Sequence, residues 1–348
     1  MCVAGAAQAH IVVGTETLRS LVAGSERVLH ARILSSGDRV GISTEGGTLS
    51  RPYVEAQVIA TLKGAELGER VRFAQHGHGV APFEPGAETL LFLRPIEQSR
   101  ELGAVAESGV LDWVSFQEHD EAYGVDDANR TLLLATVADY VASARADPAE
   151  RQRLLRRATL ALLTSGDARL AASALRDLVS APELPLVTKD DLPLLLPVVD
   201  QPGASMGVRV ALLTELGRRG LVDADAHWPG LLAEQAPPAD RVTAIRAAGL
   251  SAGAAVQPSL IALLGSDDAR VAAAAATALG RPGDAAAVGP LAGALARPEP
   301  KVRMAAVRGL GRIGLPAARQ ALEEAAASHA DPETRRRARA ELTRRAGS

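Results

Sequence analysis

Residues 267–314 read DDARVAAAAATALGRPGDAAAVGPLAGALARPEPKVRMAAVRGLGRIG, and the phrase ARVAAAAATALG at Ala269–Gly280 returns as KVRMAAVRGLG at Lys301–Gly311. Both phrases carry alanine and glycine where a helix facing a globular core would carry leucine or phenylalanine. Alanine is the best helix former and also the thinnest spacer between helix axes. A helical phrase that repeats, and is too slender to fill a core alone, buries its apolar stripe by stacking on copies of itself.

Working outward from this stretch, the phrase recurs as LAASALRDLV at Leu170, VRVALLTELG at Val208, VTAIRAAGLS at Val242, VAAAAATALG at Val271, VRMAAVRGLG at Val302 and RRRARAEL near Arg335. The steps are 38, 34, 29, 31 and about 33 residues, within the window that marks a helical solenoid. Each phrase is expected to be the second helix of a pair. Gly280 and Gly311 are expected to stop one helix, and Asp267, Asp268 and Asp284 to cap the next. Pro290 and Pro300 fit an early turn or a break. The axes should approach most closely at Ala272, Ala275, Ala276, Ala305, Ala306 and Gly309.

The segments Asp268–Gly280, Gly283–Val288 and Val302–Gly314 resemble HEAT repeats of the short, alanine-rich, lyase-like kind. The resemblance implies an α-solenoid that binds a protein partner, with the second helices on its concave side. It also implies that an arginine near a second-helix start, such as Arg270 or Arg303, bonds an aspartate of the neighbouring repeat.

Before residue 117 the pattern changes to β. ERVLHARIL (26–34), YVEAQVIATL (53–62), ERVRFAQ (69–75), ETLLFL (88–93) and GVLDWVSF (109–116) are short alternating or apolar runs. Turn signals separate them at Ser36-Gly37-Asp38, Gly46-Gly47, Lys63-Gly64, Gly77-His78-Gly79 and Glu84-Pro85-Gly86. Strands of this number and spacing suit a small barrel or sandwich, and closing a barrel removes the exposed sheet edges. The stretch resembles the OB-like barrels near the start of secreted bacterial proteins and, more distantly, the netrin-type module; the cysteines that hold the latter are absent. The fold class expected is therefore α+β and multidomain, a small N-terminal OB-like β-barrel followed by an α-solenoid of HEAT repeats. Residues 1–14 read as the remnant of a signal peptide with an N-terminal tail, and 15–118 as the barrel domain. Residues 119–148 read as an acidic linker and first helix, with Asp147-Pro148 opening the next one, and 149–348 as a solenoid of about five to six helix pairs.

The leader reading rests on small apolar residues ending in Ala7-Gln8-Ala9, the pattern that precedes a signal-peptidase cut. It makes the protein periplasmic or extracellular, the alternative being cytoplasmic. One cysteine, Cys2, excludes an intramolecular disulfide framework. No run of apolar residues is long enough to span a bilayer. Net charge is −3, but from Asp267 onward 14 basic residues face 9 acidic ones. The chain is acidic first and basic last.

No P-loop, H-E-x-x-H, or G-x-G-x-x-G after a strand is present. The di-iron HEAT enzymes use His-Glu pairs, and none of the seven histidines here precedes a glutamate. Bilin lyases share lyase-like HEAT repeats, so a cofactor-handling enzyme of that kind is the alternative function. A chromophore site wants aromatic lining, and 3% of this chain is aromatic. No cofactor, metal or nucleic acid is expected. His76 and His78, with His10 as a third ligand, are the alternative reading as ligands of a transition metal.

That leaves the cations. Arg335, Arg336, Arg337, Arg339, Arg344 and Arg345 read as a polar end-cap, with phosphate contact as the alternative. The second helices carry Arg209, Arg218, Arg219, Arg241, Arg246, Arg270, Lys301, Arg303, Arg308 and Arg312. These have two uses: a ladder that ties repeats together, or a positive groove for an acidic protein partner. Arg246, Arg308 and Arg312 lie beyond the helix starts and are the residues expected to be free for a partner.

Overall fold

The computed structural model describes residues 16–44, 47–74, 83–99, 111–115, 123–182, 184–251 and 253–346. The leader reading, the turn at 77–79 and residues 119–122 of the acidic linker fall outside these residues. The chain divides into two compact units, Met1–Val187 and Thr188–Ser348.

The first unit is built on β1 (Arg27–Thr44), β2 (Gly47–Lys63), β3 (Arg70–Ala74), β4 (Glu88–Pro95) and β5 (Trp113–Ser115). Their order is β1-β2-β3-β5-β4, and β4 returns to pair with β1, so the five strands close a barrel. Only the β3–β5 seam is parallel. Alternate residues point inward: Leu29, Ala31 and Ile33 of β1 meet Val54, Ala56, Val71, Phe73, Leu91 and Leu93. Phe73 and Phe83 pack edge to face at 5.4 Å.

The first two strands outrun their apolar patterns. The turn expected at Ser36-Gly37-Asp38 is a bulge, with the register shifting between Ser36 and Asp38 and Gly37 at φ 88°. Glycine supplies the positive φ that the extra residue needs, and the strand continues instead of reversing. A further strand absent from the sequence reading, β6 (Tyr123–Gly124), pairs with Thr89 and Leu90 of β4.

A helix not read from the sequence, α1 (Leu18–Gly24), opens the segment assigned to the barrel domain, ahead of the first strand. Thr17 and Ser20 form a capping box, and Leu18, Leu21 and Val22 bury a stripe at helical spacing. Seven residues do not hold a helix alone; contacts with later helices do. The first unit also contains α2 (Arg130–Ser143), α3 (Pro148–Leu163) and α4 (Ala168–Ser180). Thr17 Oγ1 donates to Asp177 of α4 at 2.7 Å, and Leu18 N donates to Ser173 Oγ at 2.8 Å. At the other end of α1, Lys63 Nζ donates to the carbonyls of Val22, Ala23 and Ser25. As expected, Asp147 caps α3 with Pro148 in its first turn.

The second unit contains five helix pairs among its described residues. They are α5 (Leu192–Asp200) with α6 (Met206–Arg218), α7 (Trp228–Ala233) with α8 (Pro238–Ser251), and α9 (Gln257–Leu263) with α10 (Ala269–Leu279). The last two are α11 (Val288–Ala294) with α12 (Pro300–Ile313), and α13 (Pro316–Ser328) with α14 (Pro332–Ala346). The second helices α6, α8, α10, α12 and α14 pack on one another in series.

Small residues set that packing. A Cβ on Gly249 would lie 2.6 Å from Ala278 Cβ, and one on Gly280 2.5 Å from Gly309 Cα. Gly280 ends α10 as expected. Gly311 does not end α12: it is buried inside the helix, where a Cβ would meet Glu341 at 2.8 Å, and the helix stops at Gly314, φ 75°. Asp268 caps α10 through the amides of Arg270 and Val271. Asp284 does not cap α11; it accepts the Gln257 side-chain amide at 2.7 and 2.8 Å and the Ala287 amide in the preceding turn.

Candidate functional site

The second helices expose a regular set of positions. On α8 these are Ala239, Thr243, Arg246 and Leu250; on α10, Arg270 and Thr277, with Ala273 half-buried between them; on α12, Lys301, Arg308 and Arg312, with Met304 half-buried. The threonine hydroxyls turn inward. Thr243 donates to Ala239 O at 3.0 Å and Thr277 to Ala273 O at 2.8 Å, so the chemistry of this face is set by its cations.

Most of the arginines nearby are engaged. Arg303 Nη1 donates to the carbonyls of Arg297 and Pro298, Nε to Thr334 Oγ1 at 3.1 Å, and Nη2 pairs with Asp331 of the next repeat at 3.2 Å. The Thr334 hydroxyl and amide, with the Arg303 guanidinium behind them, hold the Asp331 carboxyl at about 2, well below its ordinary range. Arg209 reaches Val199 O and Glu234, and Arg335 the carbonyls of His329 and Ala330. Arg297 donates back to Leu264 O and Ser266 O while pairing with Glu299. Arg218 and Arg219 both pair with Glu215.

The ladder expected from the sequence therefore forms at Arg303 and does not form at Arg270, whose guanidinium bonds its own cap residue, Asp268. The exposed start of α10 gives Arg270 that nearer carboxylate, and Asp268 titrates at about 2, held down chiefly by it.

A signal for this ladder lies in the sequence and escapes a reading based on apolar period. Pro148-Ala-Glu-Arg151, Pro238-Ala-Asp-Arg241, Pro300-Lys-Val-Arg303 and Pro332-Glu-Thr-Arg335 each start a helix with proline and place arginine fourth. From there Arg151, Arg303 and Arg335 reach back to carbonyls around the end of the preceding helix, as Arg151 does to Ser143 and Ala146, whereas the Arg241 Nε is buried without a hydrogen-bond partner.

Of the three residues expected to be free, Arg312 is not. Its Nη2 donates to Thr277 O at 2.6 Å, at the carbonyl end of α10, where a cation also meets the negative end of the helix dipole. Arg246 and Arg308 are exposed, and no hydrogen bond or ion pair joins either to another described residue; Lys301 shares that condition. Leu250, one turn after Arg246, is 90% exposed.

Other charged clusters are internally matched. In the C-terminal helix, Arg336 and Arg337 pair with Glu333, Arg339 donates to Ala326 O, and Arg344 pairs with Glu341. On the barrel, Glu88 accepts from Arg32 and Arg130 at 2.7 Å and lies 2.9 Å from His30 Nε2. The two guanidiniums hold its carboxyl at about 2, which makes it a clamp between β4 and α2. Where α1 meets α4, burial pushes the Asp177 carboxyl up despite Arg19 and Thr17. A groove of about 530 Å³ lined by Glu55, Arg70, Arg72 and Trp113 has its two arginines facing Glu55 at 3.5 and 3.7 Å. His10, His76 and His78 lie outside the described residues. Among the described residues no group of three His, Cys, Asp or Glu side chains could hold a metal ion, and no helix is long and apolar enough to cross a membrane.

A closed five-stranded barrel, followed by helix pairs stacked through small residues, defines a β-barrel protein with an α-solenoid. Residues 229–300, and again 258–343, match the family described as HEAT repeats, and this part of the chain is built of them. No curated protein matches the chain. Among solved structures, human deoxyhypusine hydroxylase in complex with glycerol is similar at 20% identity, covering 64% of this chain and 93% of that one with a TM-score of 0.33.

Proposed function

We propose that the protein is a non-enzymatic, exported interaction scaffold whose second helices bind a protein partner. HEAT repeats commonly mediate protein interactions. The observation that carries the reading is the unengaged state of Arg246, Lys301 and Arg308, beside Arg303 and Arg312, which are tied to neighbouring repeats. An exposed cation without an intrachain partner contributes little to folding. It is available to a carboxylate, which an arginine holds bidentately at any physiological pH. Export rests on Ala7-Gln8-Ala9, and a mature chain beginning at His10 in the extracytoplasmic fraction supports it.

The binding claim is tested by affinity capture from native extract on immobilised wild type and on the Arg246→Gln/Arg308→Gln variant. A protein retained by the first and lost from the second supports the reading. Identical retention by both overturns it.

A further inference from the structure

Resting on that reading, we infer that the element docking on the second helices is an acidic segment that also presents large apolar side chains, bridging from α8 across α10 to α12. Charge gives the first part. There is no aspartate or glutamate between Arg241 and Asp267, between Arg270 and Asp284, or between Arg303 and Glu323. Arriving carboxylates therefore meet Arg246, Lys301 and Arg308 with no competing carboxylate over most of these three helices.

The second part comes from Leu250 and Met304. Leu250 is 90% exposed and lies one turn beyond Arg246; Met304, half-buried, lies one turn before Arg308. Each outer helix thus pairs a cation with an apolar side chain at i, i+4, the spacing that puts both on one face. The middle helix contributes only Ala273 and Thr277 there, forming a low saddle between two taller rims. Arg312 spans this saddle to reach Thr277 O, which shows that the exposed faces of α10 and α12 are continuous. With axes about 8 Å apart at glycine and alanine contacts, the rims stand about 16 Å apart. That distance takes about five residues of extended chain.

Nucleic acid fits less well. Residues 229–348 contain no phenylalanine, tyrosine or tryptophan on which a base could stack. Three free cations are also few for a phosphate backbone, and they alternate with apolar side chains.

The test uses the full chain and three fluorescent probes of about 14 units: a peptide of Glu-Glu-Leu repeats, the same peptide with serine for leucine, and oligothymidylate. Anisotropy at low salt should give a Kd for the leucine peptide about tenfold below that of the serine peptide. Leu250→Ser should abolish this advantage, and Arg246→Gln/Arg308→Gln should weaken both peptides. Equal affinity for the two peptides, or tighter binding of oligothymidylate, overturns the inference. If Leu250→Ser changes nothing while the arginine variant weakens both peptides, the apolar anchor is wrong and the charged face stands. If neither variant alters either peptide, both readings fall. Leu250 is exposed, so retention of the wild-type melting temperature separates these outcomes from misfolding.

Discussion

A Cβ placed on Gly280 would stand 2.5 Å from Gly309 Cα, so α10 and α12 meet backbone to backbone. On the other side of the same contact, a Cβ on Gly309 would stand 3.0 Å from both Ala276 O and Leu291 Cδ1. Gly309→Val should therefore push the helices apart and cost about 1–3 kcal/mol. Thermal unfolding followed by circular dichroism should show a fall of several degrees in melting temperature. Gly293→Ala is the control, because a Cβ there meets nothing within 4 Å; it should leave stability equal or slightly raised.

That contact also shows what the sequence reveals about this fold. Where alanine and glycine repeat at a fixed step, as at 269–280 and 301–311, helix pairing and close approach can be read directly, because period and side-chain size carry them. The β1–β2 ribbon and α1 could not be read this way. Gly37 signals a turn whether it reverses a strand or bulges one, and only the partner strand decides. Seven residues of helix depend on Ser173 and Asp177, which lie about 155 to 160 residues further on. The candidate face was half legible. Arg246 and Arg308 stand out as charges in mid-helix, but whether such an arginine is free depends on a carbonyl across the interface, and Thr277 O engages Arg312.

The Glu88 clamp makes the first unit acid-sensitive. Its carboxyl titrates at about 2 in the fold against an ordinary 4.5, so its contribution is complete above the ordinary value and declines as pH falls toward 2. The two tryptophans lie one in each unit, Trp113 and Trp228. In a Trp228→Phe background, Trp113 fluorescence reports the first unit alone. Glu88→Gln should lower its melting temperature at neutral pH and flatten its dependence between pH 4.5 and 2. An unchanged acid profile would mean that other carboxylates control this unit.

The ladder should matter for stability and not for binding. Arg303 is 8% exposed and satisfies two carbonyls, a threonine hydroxyl and Asp331. Arg303→Met leaves these groups without their donor and should cost about 2 kcal/mol. Urea unfolding should show a lower midpoint at an unchanged slope, with partner affinity retained below the transition.

The most direct measurement sets Arg246 and Arg308 against Arg312, comparing two variants for affinity toward the captured partner across a salt series and for melting temperature. Arg246→Gln/Arg308→Gln should weaken binding about tenfold or more and flatten its salt dependence, with the melting temperature held within about one degree. Arg312→Gln should do the reverse, lowering the melting temperature through loss of the Thr277 bond and leaving affinity intact. If the double variant instead melts early and binds with wild-type affinity and salt dependence once folded, the free arginines belong to the scaffold and the second-helix face is not where the partner docks.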